Sequence, residues 1–160
     1  MYLLTICELF LASRVFLDGS QLWHDTRTTR RWYPTLEPLE DGRVIIIGGN
    51  KLGGFVNSAD NNNPTYEYYP RDANATPLPM SLLERTLPAN LYPITHLLPT
   101  GQLILNLNNN ATIYDHVANQ EYLLPNVPYA VRTYPASAAN WMLPLTVANK
   151  WLATVMYCGG

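Results

Sequence analysis

Charge is scarce in this chain of 160 residues. Only 14% of the residues are charged, and the formal net charge is −2 at neutral pH. A protein that binds nucleic acid needs a basic surface to attract the phosphate backbone, and this composition supplies none. We therefore expect no nucleic-acid partner.

Cysteine is also rare, since Cys7 and Cys158 are the only two. They are too few for a disulfide framework and lack the short spacing of metal ligands, so we interpret both as buried or free thiols, with Cys158 structural at the end of a buried strand. The histidines, His24, His96 and His116, share no ligand spacing either. We interpret each as a surface or loop residue, and His96 more specifically as hydrogen-bonded within a strand.

Long apolar runs are missing. The apolar segment from Met1 to Val15 is interrupted by Glu8 and Arg14, and its uncharged runs are much shorter than the roughly 20 residues of a membrane span. The segment also lacks a basic start, so it is not a convincing signal peptide. We expect no membrane span.

Helical periodicity is nearly absent, whereas proline and tyrosine are abundant. The chain has 13 prolines and 11 tyrosines, and 48% of its residues are hydrophobic. Such a composition favours a globular chain of short strands and structured loops, because aromatic residues prefer strands and proline interrupts helices. We predict an all-β fold.

An aromatic-proline pair opens a unit that repeats along the chain. The pair occurs first at Tyr33 and again at Tyr92 and Tyr134. The first two copies run into hairpin turns that contain Gly42 and Gly101. Repeats with a period of roughly 40 to 50 residues are typical of stacked sheets or propeller blades.

The strands within a unit resemble those of a propeller blade. The run from Val44 to Ile47 has no alternation, which predicts an inner strand buried on both faces. The alternating segment from Pro64 to Pro70 is suited to an outer, half-exposed strand. We predict a partial kelch-like β-propeller of about two and a half to three four-stranded antiparallel blades. The predicted units lie near 31–88, 89–130 and 131–160, after an irregular lead-in or degraded first-blade remnant at 1–30.

Glycine pairs mark the ends of strands. Gly48 and Gly49 follow the buried run directly, and no helix pattern or Lys-Ser/Thr pair follows them as a phosphate loop requires. We interpret them as a strand end whose backbone bends inward between blades.

An open arc of blades leaves faces and strand edges exposed to water, and closed propellers contain roughly four to eight blades. We therefore expect this chain to be a piece of a larger protein. We also expect self-association of the isolated chain through its open blade edges.

Several motifs carry a resemblance to one family over residues 30 to 160. They are Arg30-Arg31-Trp32-Tyr33-Pro34-Thr35, Asp41-Gly42-Arg43 with the strand that ends in Gly48-Gly49, Asn90-Leu91-Tyr92-Pro93, Val131-Arg132-Thr133-Tyr134-Pro135, and Cys158-Gly159-Gly160. In these motifs the chain resembles the glyoxal oxidase family, relatives of galactose oxidase.

The resemblance implies a secreted, seven-bladed kelch-type propeller that carries one copper ion near its axis. Such proteins oxidise small aldehydes or alcohols and reduce O₂ to hydrogen peroxide. Two tyrosines and two histidines hold the copper in this family, and one of the tyrosines, bonded to a cysteine sulfur, stores the second oxidising equivalent as a radical. By the resemblance, Tyr33 occupies the place of that radical tyrosine and copper ligand.

The remainder of the family site does not match. The Tyr-His pair is missing, and Cys7 does not lie in the Cys-x-Gly context of the cysteine partner. We therefore expect a catalytically incomplete fragment of a copper radical oxidase that binds no copper alone. The alternative is a non-catalytic kelch-like interaction module, which Lys51 favours because galactose oxidase carries a stacking tryptophan there. Asn74 and Asn110 begin glycosylation acceptor triplets, which would lie on surface loops if the chain is secreted.

Overall fold

The computed structural model describes residues 29–52 and 58–160, so Cys7 and His24 lie outside the described residues. The described chain contains ten strands and one short helix. The strands form three antiparallel sheets, two of four strands and one of two strands. The predicted all-β class is confirmed, and the four-stranded sheets have the form of propeller blades.

The first sheet follows the repeat motif of Tyr33. Its strands, in spatial order, are β1 (Thr35–Pro38), β2 (Val44–Ile47), β3 (Thr65–Tyr69) and β4 (Leu78–Pro79), and the helix α1 (Ser81–Arg85) follows. Gly42 allows the hairpin turn between β1 and β2 because its φ is 86°. Leu39 N donates to Arg43 O at 2.8 Å and closes that turn.

The second sheet repeats the first with the same strand order. Its strands are β5 (Ile94–Leu97), β6 (Leu103–Leu107), β7 (Asn110–Asp115) and β8 (Gln120–Leu124). The hairpin between β5 and β6 uses Gly101 with a φ of 81°, and Leu98 N donates to Gln102 O at 2.8 Å. The same sequence pattern therefore produces the same turn in both units.

The third sheet consists of β9 (Ala139–Met142) and β10 (Val155–Cys158). Each residue of β10 except Cys158 is half-buried, and Cys158 is exposed with a free thiol. This corrects the expectation of a buried strand. The reason is that no further sheet in the described part of the chain covers this face.

The hydrophobic core lies between the two four-stranded sheets. The predicted burial of β2 on both faces is confirmed, since all four of its residues are buried. The core cluster combines side chains from both sheets and from α1, and these are Leu39, Ile45, Ile47, Tyr66, Met80, Leu82, Leu83, Leu103, Leu105, Leu107 and Tyr114.

Strand β3 is less exposed than its alternating pattern predicts. Tyr66 and Glu67 are both buried, and the Tyr66 ring packs edge-on against Tyr114 of the second sheet, with centroids 5.5 Å apart. The outer position belongs to β4, whose two residues are exposed. Three of the five residues of β3 are half-buried, which agrees with the predicted half-exposed position, and Tyr66 and Glu67 depart from the alternation because the fourth strand and the neighbouring sheet cover them.

A buried ion pair ties the start of the first unit to β3. Arg31 Nε donates to Glu67 Oε1 at 2.5 Å, and the side chains are 0% and 4% exposed. Arg31 Nη1 also donates to the carbonyl oxygens of Gly48 and Thr65 at 2.7 and 2.9 Å. Burial lowers the pKa of the Arg31 guanidinium, while Glu67 opposes that shift. The paired carboxylate and the carbonyl oxygens replace the hydrogen bonds to water that the guanidinium loses on burial.

Hydrogen bonds between buried asparagines join the first unit to the second. Asn50 Nδ2 donates to Asn62 Oδ1 at 2.9 Å, and Asn62 Nδ2 donates to Asn90 Oδ1 at 2.7 Å. Asn90 Nδ2 in turn donates to Leu83 O at 2.7 Å. This chain of amides runs from the loop after β2 to the start of the second unit. It stabilises the junction because each buried amide finds a partner.

Gly49 shows why a glycine pair closes β2. Its φ is 100°, and a Cβ at this position would lie 2.9 Å from Trp32 O. Any side chain would therefore push the backbone of Trp32 away from the end of the strand. The left-handed φ values of Gly48 and Gly49 agree with the predicted bend at the strand end.

Candidate functional site

Tyr33 lies directly before β1, at the point where the first unit begins. Trp32 and Asn50 form an antiparallel bridge beside it, with N···O distances of 2.8 and 2.6 Å. Tyr33 itself has a φ of 60°, which is a left-handed conformation for a residue with a side chain. Such a conformation costs about 1–3 kcal/mol and persists only where the surroundings enforce it.

The second and third copies of the motif place their tyrosines beside the first. Tyr92 has a φ of 50°, and its N–H donates to Tyr33 O at 3.0 Å. Tyr134 N donates to Leu91 O at 3.2 Å, which joins the start of the third unit to the second. The starts of all three units are thus connected through their backbones, and their side chains converge.

The three tyrosine rings form one cluster. The centroids of Tyr33 and Tyr134 are 5.6 Å apart with planes at 22°, which is a stacked arrangement. Tyr92 lies 5.4 Å from Tyr33 with a tilt of 55° and 6.5 Å from Tyr134 at 76°. All three separations fall in the range of attractive aromatic pairs.

The cluster disfavours ionisation of Tyr92. Partial burial raises the pKa of the Tyr92 phenol, and the neighbouring Tyr33 and Tyr134 add to the shift. Burial has this effect because it penalises the charged phenolate. At neutral pH the Tyr92 ring therefore presents a protonated phenol to its neighbours.

A cavity of about 520 Å³ adjoins the cluster. Tyr92 and Tyr134 line it, whereas Tyr33, which contacts both, does not. The other lining residues come mainly from β1, β5 and the segment that leads into β9, so the cavity lies where the first strands of the three sheets face one another. In a propeller these innermost strands surround the central channel.

Two charged side chains line this cavity. Glu37 Oε1 accepts a hydrogen bond from Leu97 N at 3.1 Å and so connects β1 with β5. Arg132 Nη1 donates to the carbonyl oxygens of Pro128 and Ala130, both at 3.0 Å. These contacts hold the wall of the cavity in place and leave its lining mixed in polarity.

His96 and His116 each contact a side chain of a neighbouring unit. His96 Nε2 is 2.9 Å from Asn140 Oδ1, which confirms its interpretation as a hydrogen-bonded strand residue. His116 lies in the turn after β7 but is buried, with Nε2 3.4 Å from Glu40 Oε1. The interpretation of His116 as a surface or loop residue is confirmed for its place in a turn, but its side chain is not at the surface. The turn that carries it packs against the β1–β2 turn of the first sheet, and Tyr68 covers it there.

The tyrosine cluster by itself presents one kind of copper ligand. Copper of this type needs several nitrogen and oxygen ligands in a fixed array, and the cluster offers only phenol oxygens. Across residues 29–52 and 58–160, no group of three or more His, Cys, Asp or Glu side chains is placed to hold a metal.

Sequence reasoning singled out Tyr33 but not its two partners. The signal was present, because Tyr92 and Tyr134 occupy the same place in their own units. Equivalent positions of neighbouring blades meet at the axis of a propeller, so a residue that repeats at each blade start forms a cluster there.

Comparison with known proteins gives a consistent result. Residues 17–160 match the family model described as glyoxal oxidase N-terminus. The chain is 38% identical over 148 residues to "Aldehyde oxidase GLOX" of Vitis pseudoreticulata, covering 91% of this chain and 26% of that protein. It is 35% identical over 142 residues to "Aldehyde oxidase GLOX1" of Arabidopsis thaliana, covering 82% of this chain and 21% of that protein.

A fungal relative is similar over a comparable length. The chain is 33% identical over 154 residues to a "WSC domain-containing protein" of Arthroderma benhamiae, covering 89% of this chain and 16% of that protein. The chain thus spans about a quarter or less of the length of these relatives. The family-model match covers most of the chain, and the motif of Tyr33 lies within it, so this chain belongs to the glyoxal oxidase family.

Proposed function

We propose that this chain supplies Tyr33 to a copper radical oxidase that acts on small aldehydes or alcohols and reduces O₂ to hydrogen peroxide. Tyr33 is the radical-forming tyrosine and one copper ligand, and histidines from outside the described residues complete the site. The observation that carries the proposal is the convergence of Tyr33 with Tyr92 and Tyr134 beside the central cavity in a member of this family. Two relatives are named aldehyde oxidases, which supports the substrate class.

We further propose that the chain is catalytically incomplete by itself. The described residues offer phenol oxygens at the site and no metal-holding group, which supports this view. The test is to add copper(II) and methylglyoxal to the purified chain and to measure hydrogen peroxide together with the electron spin resonance of copper. We expect no peroxide above a buffer control that contains copper. Peroxide production at the rate of a complete oxidase would contradict the proposal.

The role of Tyr33 is tested in a complete protein. Residues 17–160 would replace the matching segment of the Vitis pseudoreticulata relative, and peroxide production would be measured with methylglyoxal. We expect an active chimera that loses activity and its radical signal when Tyr33→Phe is introduced. Tyr129→Phe is the control, since Tyr129 is 98% exposed. An active chimera with Tyr33→Phe would rule out the role of Tyr33.

The exposed apolar side chains of the third unit favour a second candidate, which is a non-catalytic interaction module. Trp141 and Trp151 are half-exposed or more, and Leu152 is 66% exposed. Such a patch beside an open strand edge also supports self-association of the isolated chain. Sedimentation at several concentrations tests this, because a concentration-independent monomer would exclude self-association. If the copper-free, inactive chain bound a specific partner, that result would support the interaction module.

Secretion is part of the proposal and has a local test. Asn74 is exposed in a turn with a φ of 64°, so its acceptor triplet is accessible to glycosylation enzymes. Asn110 begins β7 and is half-buried, which makes it the poorer acceptor. Expression in a host that secretes the chain should give a product whose mass falls when N-linked glycans are removed enzymatically. The variant Asn74→Gln should remove most of that difference. In the part of the chain that the structure describes, no helix is long and apolar enough to cross a membrane.

A further inference from the structure

We propose that Tyr134 is a positioning residue that stabilises an oxidised Tyr33 by stacking on its ring. The proposal deepens the function above, on which its biological meaning rests, but its test uses the metal-free chain. Neither the family motif nor the repeat pattern assigns this role to Tyr134. The carrying observation is the near-parallel approach of the two rings, with centroids 5.6 Å apart and planes at 22°.

The geometry separates the two neighbours of Tyr33. The Tyr134 ring lies nearly parallel to the Tyr33 ring in an offset stack, whereas Tyr92 meets that ring at 55°. A face-on neighbour places its electron-rich π surface against the ring that loses an electron. A tilted neighbour packs against the ring without that overlap, so Tyr134 and not Tyr92 is expected to affect the oxidised state most.

The stack is held by the backbone and not by the rings alone. Tyr134 N donates to Leu91 O, and Tyr92 N donates to Tyr33 O, so the distance between Tyr33 and Tyr134 is fixed from both ends. Thr133 Oγ1 also donates to Ala89 O at 2.8 Å, directly before Tyr134. Because these bonds position the ring, removing the Tyr134 hydroxyl should leave the stack intact.

The step is a one-electron oxidation with a defined balance. The Tyr33 phenol gives one electron to an outer-sphere oxidant and its phenolic proton to water, and the oxidant is reduced by one electron. The product is a neutral phenoxyl radical on Tyr33, stacked against the Tyr134 ring. No bond to Tyr134 forms or breaks in this step, so its contribution is to the lifetime and the ease of formation of the radical.

The experiment places a readily oxidised reporter, 3-aminotyrosine, at position 33 of the metal-free chain. Hexachloroiridate(IV) oxidises it in preference to the native tyrosines, and electron spin resonance follows the radical with time. With Tyr134→Leu we expect the radical to decay roughly 3- to 10-fold faster, a factor that corresponds to the loss of an ordinary aromatic stack. Tyr134→Phe should restore the original decay rate because it keeps the ring.

Two controls separate stacking from general damage to the fold. Tyr129→Leu removes an exposed ring from the segment just before Tyr134 and should leave the decay unchanged. Tyr92→Leu should change the decay less than Tyr134→Leu does. Equal decay in the Tyr134→Leu and unchanged chains, or failure of Tyr134→Phe to restore it, would overturn the proposal.

A second measurement does not depend on any variant. With 3-fluorotyrosine at position 33, the fluorine resonance of the folded chain should be displaced by the ring current of Tyr134 relative to the chain in urea. A folded chain without that displacement would overturn the proposal even if Tyr134→Leu failed to fold. Absence of peroxide from the copper-loaded chimera would count against the proposed function alone, because neither measurement here involves copper.

Discussion

Apolar side chains are buried between the first two sheets but exposed in the third unit. Ile45, Ile47 and Leu105 are 0% exposed between the first two sheets. In the third unit, Trp151 is 58% exposed and Leu152 is 66% exposed. In the described residues the third sheet has only two strands, so fewer neighbours cover its side chains. A blade buries its face only when another sheet lies against it.

The polar contacts show the same contrast. Arg31 and Glu67 pair in the interior of the first sheet, and the buried amides of Asn50, Asn62 and Asn90 bridge the first two units. The third unit has no such buried network among the described contacts: Asn149 Nδ2 donates to Pro144 O at 3.2 Å at an exposed site, and Thr133 Oγ1 donates to Ala89 O at 2.8 Å at a half-buried one. Fully buried polar contacts therefore concentrate where the first two units pack.

The largest predicted effect breaks the packed region. Arg31→Met leaves Glu67 buried without its cation and should lower the free energy of unfolding by about 3–5 kcal/mol. Urea unfolding followed by tryptophan fluorescence measures this. Arg43→Met is the matched control, since its partner Asp41 is largely in solvent and little change is expected. Equal effects of the two substitutions would show that burial of the first pair is unimportant.

The second prediction compares the same substitution in the two regions. Leu105→Ala removes a fully buried side chain and should lower the free energy of unfolding by about 2–5 kcal/mol. Leu152→Ala removes an exposed side chain and should change it by less than about 0.5 kcal/mol. Thermal and urea unfolding of both variants measure the difference. A large cost for Leu152→Ala would mean that a partner surface covers the third unit in solution.

The third prediction concerns alkaline pH. Burial raises the pKa of the Tyr114 phenol, and its O–H donates to Asn119 Oδ1 at 2.9 Å. The folded chain therefore keeps this proton where the unfolded chain loses it. The contribution of this raised pKa to the free energy of unfolding is fully present below pH 10, near the ordinary pKa of tyrosine. It falls by about 1.4 kcal/mol per pH unit as the pH rises further.

The variant Tyr114→Phe tests that slope. Its free energy of unfolding should be moderately lower at pH 7, because the hydrogen bond is lost, and should fall less steeply between pH 10 and pH 11. Tyr129→Phe removes an exposed phenol and should keep the original slope. An unchanged slope in Tyr114→Phe would show that this phenol ionises equally in both states.

The smallest effect on stability is expected in the open region, where self-association should change instead. The double variant Trp151→Ser with Leu152→Ser replaces exposed apolar surface with hydroxyls. It should reduce association in sedimentation velocity while the melting temperature stays nearly constant. Unchanged association would place the contact at a strand edge and not at this patch.

Local patterns predicted the elements well where local chemistry decides them. The turn glycines Gly42 and Gly101 and the buried run of β2 are found where the sequence indicates them. Patterns did not predict burial that a neighbouring unit decides, as for Tyr66 and His116. Alternation predicts a half-exposed strand only if one face meets water, and Tyr66 is covered by the second sheet. His116 lies in a turn, and its burial comes from packing against the first sheet.

The candidate site shows the same division. The motif around Tyr33 was enough to select that residue. The two tyrosines whose rings contact it, Tyr92 and Tyr134, lie 59 and 101 positions later in the sequence. The relevant contacts, Tyr33 with Tyr92 and Tyr134, depend on how far one blade turns relative to the next. No local pattern encodes that rotation.

The amino-acid sequence by itself determined the strand class, the hairpin turns, the repeat and the family, because each depends on residues close together or on a recognisable motif. The tertiary structure decided which side chains are buried and which tyrosines meet, because those depend on packing between units. The stacked rings of Tyr33 and Tyr134 are therefore a property of the assembled blades and not of either motif alone.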